Sequence, residues 1–91
     1  MGKTTITKEQ AEKLMKAATR DAEQTSHHGD LRNMISVNLS EARAILAKPS
    51  AGESAMERLL GDAFIRLTDD KQKIHLDHTV LSNIAGQGLA R

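Results

Sequence analysis

The chain contains no cysteine, tryptophan or tyrosine, and its only aromatic residue is Phe64. The absence of cysteine excludes a disulfide framework, a thiolate zinc site, a cysteine nucleophile and an iron–sulfur cluster. A single aromatic ring cannot provide the stacking surface that binds unpaired bases of single-stranded nucleic acid. The 91 residues suffice for one domain.

An excess of charge of one sign is also lacking. There are 13 Lys and Arg residues against 12 Asp and Glu residues, and the formal net charge is +1. This balance does not favour binding to a phosphate backbone, which requires a basic surface. No apolar run reaches the roughly 18 residues of a membrane span, and the first residues lack the apolar core of a signal peptide. We therefore expect a cytoplasmic protein without a membrane partner.

A first helix is predicted from its start and stop signals. Thr7 and Gln10 have the spacing of a capping box, in which each side chain accepts a hydrogen bond from the backbone N–H of the other residue. Strong helix formers follow, and Gly29 is a natural stop signal. The pattern predicts a helix over about 8–26.

A second helix is predicted over about 31–47, with Asp30 as its N-cap and Pro49 beyond its end. The apolar positions that recur at helical spacing are Leu31, Met34, Ile35, Leu39, Ala42, Ile45 and Leu46. The stretch 35–39 also alternates between apolar and polar residues, as a strand would. We favour the helix because it accounts for more of the apolar positions.

Two consecutive signals, either of which could start it, predict a third helix over about 53–68. Both 50–53 and 54–57 have the capping-box pattern, and an apolar stripe at helical spacing follows them. Gly61 lies inside this stripe, where it costs about 1 kcal/mol relative to Ala. It therefore marks either a close contact or an early end of the helix.

The last third of the chain is ambiguous between two structures. The stretches 65–68 and 73–77 alternate in polarity and allow a β-hairpin. Alternatively, Asp69 or Asp70 caps a fourth helix over about 71–85. We favour the helix because the preceding segments are also predicted to be helical.

Together these segments predict an all-α fold, in which three to four helices form a small antiparallel bundle with short loops. The whole chain, 1–91, is then a single helical domain with short terminal tails. The alternative is three helices followed by a C-terminal β-hairpin. In either case the apolar residues suffice for only a modest core, so burial of further apolar area by self-association is expected.

The histidines are the candidates for metal binding or acid–base chemistry. His27 and His28 precede Asp30, and His75 and His78 flank an aspartate. His and Asp are ligands for zinc and iron, so a metal-dependent enzyme is one hypothesis, provided that the four histidines converge. We favour a structural interpretation, because histidine at a helix C-terminus interacts well with the helix dipole. We predict no catalytic residue, no bound cofactor and no metal site.

A DNA-binding transcriptional regulator is the second hypothesis. A short helix next to a hairpin, over 79–86, would outline a winged-helix or helix-turn-helix arrangement, but this segment contains no Arg or Lys. The hypothesis requires dispersed basic residues to gather on one face in three dimensions. These are Arg32, Arg43, Arg58, Arg66, Lys71 and Lys73.

The leading hypothesis is a small, non-catalytic protein–protein interaction module that acts as a regulator, inhibitor or adaptor. Ala-rich and Leu-rich helix faces suit close contact with another protein, and a homo-oligomer is expected as well. Binding to nucleic acid is the less favoured alternative. The residues predicted to contact the partner are Lys13, Lys16, Ala17, Arg20, His75 and His78.

Overall fold

The computed structural model describes residues 5–27 and 30–87 and contains both helices and a sheet. In chain order the elements are α1 (Lys8–Ala17), β1 (Thr19–His27), β2 (Asp30–Asn38), α2 (Leu39–Ile45), α3 (Glu53–Leu60), a short 3-10 helix (Gly61–Ala63), β3 (Phe64–Leu67), β4 (Lys73–Asp77) and α4 (His78–Gln87). The strands form one antiparallel sheet with the order β1-β2-β4-β3. The predicted all-α helical bundle is therefore wrong, and the domain is a mixture of helices and sheet.

Helix α1 begins as predicted and ends early. The Thr7 hydroxyl accepts the N–H of Gln10 at 3.1 Å, and the Gln10 side chain accepts the N–H of Thr7 at 2.9 Å, so the capping box is confirmed. The helix stops at Ala17, and Ala18 is extended with ψ 145°. The residues of 19–27 are almost all polar and carry no apolar stripe for a helix. They pair instead with β2.

Strand β2 occupies the first part of the predicted second helix. Ile35 lies opposite Leu76 of β4, and Val37 lies opposite Ile74, so the four side chains share one face of the sheet. All four are buried. This cross-strand pairing outweighs the helical spacing of 31–47, and the alternation over 35–39 was the correct indication of local structure.

The short helix α2 is what remains of the second predicted helix. Asn38 caps it, because its side-chain oxygen accepts the backbone N–H groups of Ser40 at 3.0 Å and of Glu41 at 3.4 Å. The helix ends at Ile45, before the predicted stop at Pro49. Ala47 then adopts a left-handed conformation with φ 57°, which turns the chain into the loop before α3.

Helix α3 starts at Glu53 but ends at Leu60 rather than at residue 68. Gly61 is its C-cap with φ 55° and ψ −129°, a conformation that a side chain would disfavour. Of the two interpretations of this glycine, the early helix end is therefore the one that the structure shows. The N-cap is Gly52, without a side-chain hydrogen bond, so neither predicted capping box forms the start of this helix.

The region of the fourth predicted helix begins with a β-hairpin of β3 and β4. Asp69 and Asp70 lie in its turn, and helix α4 starts only at His78. Asp77 accepts the backbone N–H groups of the first turn of α4, so it is the capping carboxylate. The hairpin of the alternative prediction is therefore confirmed, but β4 also pairs with β2, and the three helices expected before the hairpin are interrupted by β1 and β2.

The core lies between the apolar face of the sheet and the helices. Helices α1 and α4 contact each other, and α4 contacts β2. Among the side chains that the structure describes, the large ones that are fully buried are Leu14, Ile35, Val37, Met56, Leu60, Ile74, Leu76 and Leu81. They belong to one continuous cluster. The opposite face of the sheet is therefore available for polar side chains.

Candidate functional site

The polar face of the sheet carries a buried serine–histidine pair. Ser36 of β2 lies directly opposite His75 of β4. The hydroxyl oxygen of Ser36 and Nδ1 of His75 are 3.3 Å apart, and the two side chains are buried. A hydroxyl next to an imidazole is the combination that a nucleophile and its general base require. At 3.3 Å the two groups are within hydrogen-bond distance and connect two neighbouring strands.

An open groove of about 480 Å³ lies beside this pair, and its wall is the β3–β4 turn. The lining residues are Ser36, Thr68, Asp69, Asp70, Lys73 and His75. The Thr68 hydroxyl donates a 2.6 Å hydrogen bond to the carboxylate of Asp70, which also accepts the backbone N–H of Gln72 at 3.0 Å. These two hydrogen bonds, helped by the charge of Lys73, lower the pKa of Asp70 below its usual value. This carboxylate therefore organises the turn.

A second groove, of about 520 Å³, lies between helices α1 and α4. Glu12, Met15 and Lys16 line it from α1, while His78 and Ser82 line it from α4. Glu12 also forms an ion pair with Lys8, with 3.3 Å between the charged atoms. The groove thus combines a half-buried thioether with an acid, a base and an imidazole. Such a mixture is typical of the rim and centre of a protein contact.

A third cavity, a cleft of about 580 Å³, lies between the loop that precedes α3 and α3 itself. Its lining residues are Thr5, Ala47, Lys48, Pro49, Ser50, Ala51, Ala55, Arg58 and Leu59. The lining is mostly apolar, with hydroxyl groups and two cationic side chains. Nothing in the sequence analysis pointed to this cleft, because its walls come from a loop conformation that no local pattern encodes.

The residues predicted to contact a partner are only partly brought together. Lys16 and His78 line the same α1–α4 groove. Ala17 packs partly buried against the core, and His75 is buried on the sheet instead of joining His78. Lys13 is exposed outside the residues that line the groove, and the side chain of Arg20 lies outside the described part of the structure.

The histidines that the metal hypothesis requires do not converge in the described structure. His75 lies on the polar face of the sheet, whereas His78 begins α4 and lines the α1–α4 groove. Residue 28 and the side chain of His27 lie outside the described part of the chain. Among the side chains that the structure describes, no group of three His, Asp or Glu is placed to hold a metal ion.

The basic residues of the DNA-binding hypothesis are divided between separate places. Arg66 and Lys73 belong to the β3–β4 hairpin, whereas Arg58 of α3 lines the cleft. Arg43 of α2 donates a 2.8 Å hydrogen bond from Nε to the carbonyl oxygen of Ala51 and is half-buried. The side chain of Arg32 lies outside the described part of the structure, and the single basic face stays a prediction.

Sequence reasoning missed Ser36 as a partner of His75. The signal was present in the alternation over 35–39. In a strand, Ser36 lies on the polar face of the sheet, while Ile35 and Val37 lie on the other face. The helical interpretation instead treated Ser36 as an ordinary polar position. Recognising the pair required knowing that β2 and β4 are neighbours in the sheet, which depends on the tertiary structure.

None of the helices in the described residues combines the length and the apolar character needed to cross a membrane. Comparisons with protein-family models, with curated protein sequences and with solved structures found no significant match to this chain.

Proposed function

We propose that the protein is a non-catalytic protein–protein interaction module, and that the α1–α4 groove is its contact surface with a second copy of the chain. The observation that supports this is the arrangement of Glu12, Met15 and Lys16 on α1 beside His78 of α4. An acid and a base one helical turn apart, with an apolar side chain between them, form a self-complementary surface.

The charges fit a two-fold arrangement of copies. When two α1 helices pack antiparallel about a two-fold axis near their middle, Glu12 of each copy lies opposite Lys16 of the other. The same axis brings the two Met15 side chains close together, where the flexible thioether fills an irregular contact. The present partner of Glu12 is Lys8, an exposed i,i+4 pair. Exchanging such a pair for a contact between copies costs little.

The expected contact is small, so self-association should be weak. Helix α1 has 10 residues, which is about 15 Å of helix. An interface of one helix pair falls at the low end of specific interfaces, below about 1,200 Å². A reversible module of this kind is compatible with the regulator, inhibitor or adaptor role and the cytoplasmic location expected from the sequence.

Charge reversal tests the proposal by sedimentation equilibrium from micromolar to millimolar protein. We expect a monomer–dimer equilibrium that is at least about tenfold weaker in Glu12→Lys and in Lys16→Glu, because each places like charges opposite one another. The double variant Glu12→Lys/Lys16→Glu should restore it. Lys13→Glu is the matched control, since this exposed residue of α1 is not part of the groove lining.

Two results would overturn the proposal. One is a chain that stays monomeric over the whole concentration range. The other is a dimer whose strength is insensitive to the two single reversals, or that the double variant fails to restore. Circular dichroism of each variant checks that α1 is intact. If a substitution weakened the dimer by unfolding the helix, the helical signal would fall as well.

A further inference from the structure

The cleft between the loop 46–52 and helix α3 has the size and surface of a small-molecule site. Its volume of about 580 Å³ lies within the range of roughly 300–1,000 Å³ that is usual for ligand pockets. Apolar side chains form most of its wall. They are Ala47, Pro49, Ala51, Ala55 and Leu59.

Backbone hydrogen bonds hold one wall of the cleft in place. The N–H of Lys48 donates to the carbonyl oxygen of Arg43 at 3.0 Å, and the N–H of Ala51 donates to that of Lys48 at 3.1 Å. From α2, Nε of Arg43 donates to the carbonyl oxygen of Ala51 at 2.8 Å. The loop is therefore tied to α2 at both of its ends, and the wall exists before any ligand binds.

The other wall is equally fixed. The N–H of Thr5 donates to the carbonyl oxygen of Leu59 at 3.1 Å, which ties the segment before α1 to the last turn of α3. Leu59 itself is half-buried and packs against the core. A preformed cavity avoids the ordering cost that weakens binding to flexible surfaces.

The charge of the cleft is of one sign. Lys48 and Arg58 are the ionisable side chains among the described residues that line it, and no acid joins them. Both are exposed, and neither forms an ion pair within the described part of the chain. A guanidinium matches a carboxylate with two parallel hydrogen bonds, while an ammonium adds a point charge.

We propose that this cleft binds a small aliphatic carboxylate of medium chain length. The carboxylate pairs with Arg58 and Lys48 at the rim, and the alkyl tail lies along the wall formed by Pro49, Ala55 and Leu59. The cationic rim distinguishes such a ligand from an alcohol or an ammonium compound with the same tail. The site is separate from the α1–α4 groove, because the two share no lining residue.

Titration with octanoate, below its micelle concentration, tests the site on the full chain by ¹⁵N–¹H correlation spectra. We expect saturable shifts of the amides of Ala47, Ala51 and Ala55, and binding at least about fivefold weaker in Arg58→Gln and in Lys48→Gln. Octanol and octyltrimethylammonium should bind more weakly than octanoate. Arg66→Gln, which removes the same charge elsewhere, should bind octanoate as the unmodified chain does.

A variant that fills the cleft adds a steric test. Ala55→Phe should abolish the octanoate shifts, while the amides of the sheet keep their positions and so report an intact fold. The proposal is overturned if shifts fail to saturate, if they spread over other apolar surfaces, or if octanol binds as tightly as octanoate. It is also overturned if Arg58→Gln and Lys48→Gln bind octanoate normally. None of these results depends on self-association of the chain.

Discussion

Nδ1 of His75 and the hydroxyl oxygen of Ser36 lie 3.3 Å apart, across two neighbouring strands and on the polar face of the sheet. Only 8% of His75 and 5% of Ser36 is exposed. Removing one partner of a buried polar pair leaves the other less well satisfied, which costs about 1–3 kcal/mol. We expect Ser36→Ala to lower the free energy of unfolding by about 1–2 kcal/mol, measured by urea denaturation followed by circular dichroism.

A double-mutant cycle separates this contact from other effects of each substitution. Ser36→Ala, His75→Leu and the double variant should give a coupling free energy of at least about 0.5 kcal/mol. Ser54→Ala is the matched control, because Ser54 is exposed on α3, and it should change stability by less than about 0.5 kcal/mol. Strict additivity at positions 36 and 75 would contradict the contact.

Asp77, and not Asp69 or Asp70, caps the last helix. Its Oδ1 accepts the N–H of Thr79 at 2.9 Å and of Val80 at 3.4 Å, from a side chain that is almost fully buried. Loss of an N-cap costs about 0.5–2 kcal/mol, and Asn is as good a cap as Asp. We expect Asp77→Ala to lower the free energy of unfolding by about 1–2 kcal/mol, and Asp77→Asn to lower it by less.

Asp69→Ala is the control for the cap, since Asp69 is exposed in the β3–β4 turn. It should leave the free energy of unfolding within about 0.5 kcal/mol of the unmodified chain. Hydrogen exchange of the first amides of α4 locates the effect. Faster exchange there in Asp77→Ala is the expected result, and an equal loss of stability in Asp69→Ala would argue against the assignment.

Two local signals in the sequence were correct, whereas the capping-box patterns at 50–53 and 54–57 did not form the start of α3. The capping box at Thr7 joins residues three positions apart, and Gly61 ends α3 through its own backbone freedom. In contrast, the extent of the first two predicted helices was wrong. The segment 31–39 has apolar residues that satisfy both the helical and the strand period, and only the pairing of Ile35 with Leu76 decides between them.

The candidate sites were harder to predict than the elements. Lys16 and His78 were expected to belong to one surface, and they do line one groove. The same expectation placed His75 with them, because it assumed a helix through 71–85. A strand turns His75 toward Ser36 on the polar face of the sheet. The cleft between the loop 46–52 and α3 has no counterpart in any sequence pattern, since its shape depends on the left-handed turn at Ala47.

The left-handed conformation of Ala47 stores a small amount of strain. Its φ is 57°, and an L-residue with a Cβ pays about 1 kcal/mol there relative to glycine. The free energy gained by relieving this strain exceeds the free energy lost because glycine gives the unfolded chain more conformational entropy. We expect Ala47→Gly to raise the free energy of unfolding by about 0.5 kcal/mol, measured by thermal and urea denaturation.

The same substitution three residues earlier should have the opposite sign. Ala44 is exposed in the last turn of α2, where it has helical backbone angles and replacement by glycine costs up to about 1 kcal/mol. The comparison is therefore matched in chemistry and differs only in backbone conformation. A loss of stability in Ala47→Gly as large as that in Ala44→Gly would show that Ala47 is not strained.

The carboxyl group of Asp70 gives the β3–β4 turn a defined acid response. The Thr68 hydroxyl and then the Gln72 N–H favour the carboxylate, so the pKa of Asp70 lies below its usual value of 3.8. A group whose pKa is lowered in the folded state stabilises the fold above its unfolded value, and that contribution is lost as the pH falls through the lowered pKa. The stabilisation is therefore present above about pH 4 and absent in stronger acid.

Removing the Thr68 hydroxyl, which donates a hydrogen bond to this carboxylate, should raise the pKa of Asp70. We expect Thr68→Val to raise the pKa of Asp70 toward its usual value, whereas Thr68→Ser should retain the lowered pKa because it keeps the donor. The ¹³C shift of the Asp70 carboxyl group, followed against pH, reports the pKa directly. In Asp70→Asn the part of the acid-induced loss of stability that comes from this group should disappear. An unchanged titration of Asp70 in Thr68→Val would mean that the Gln72 N–H and the charge of Lys73 lower its pKa without help from the hydroxyl.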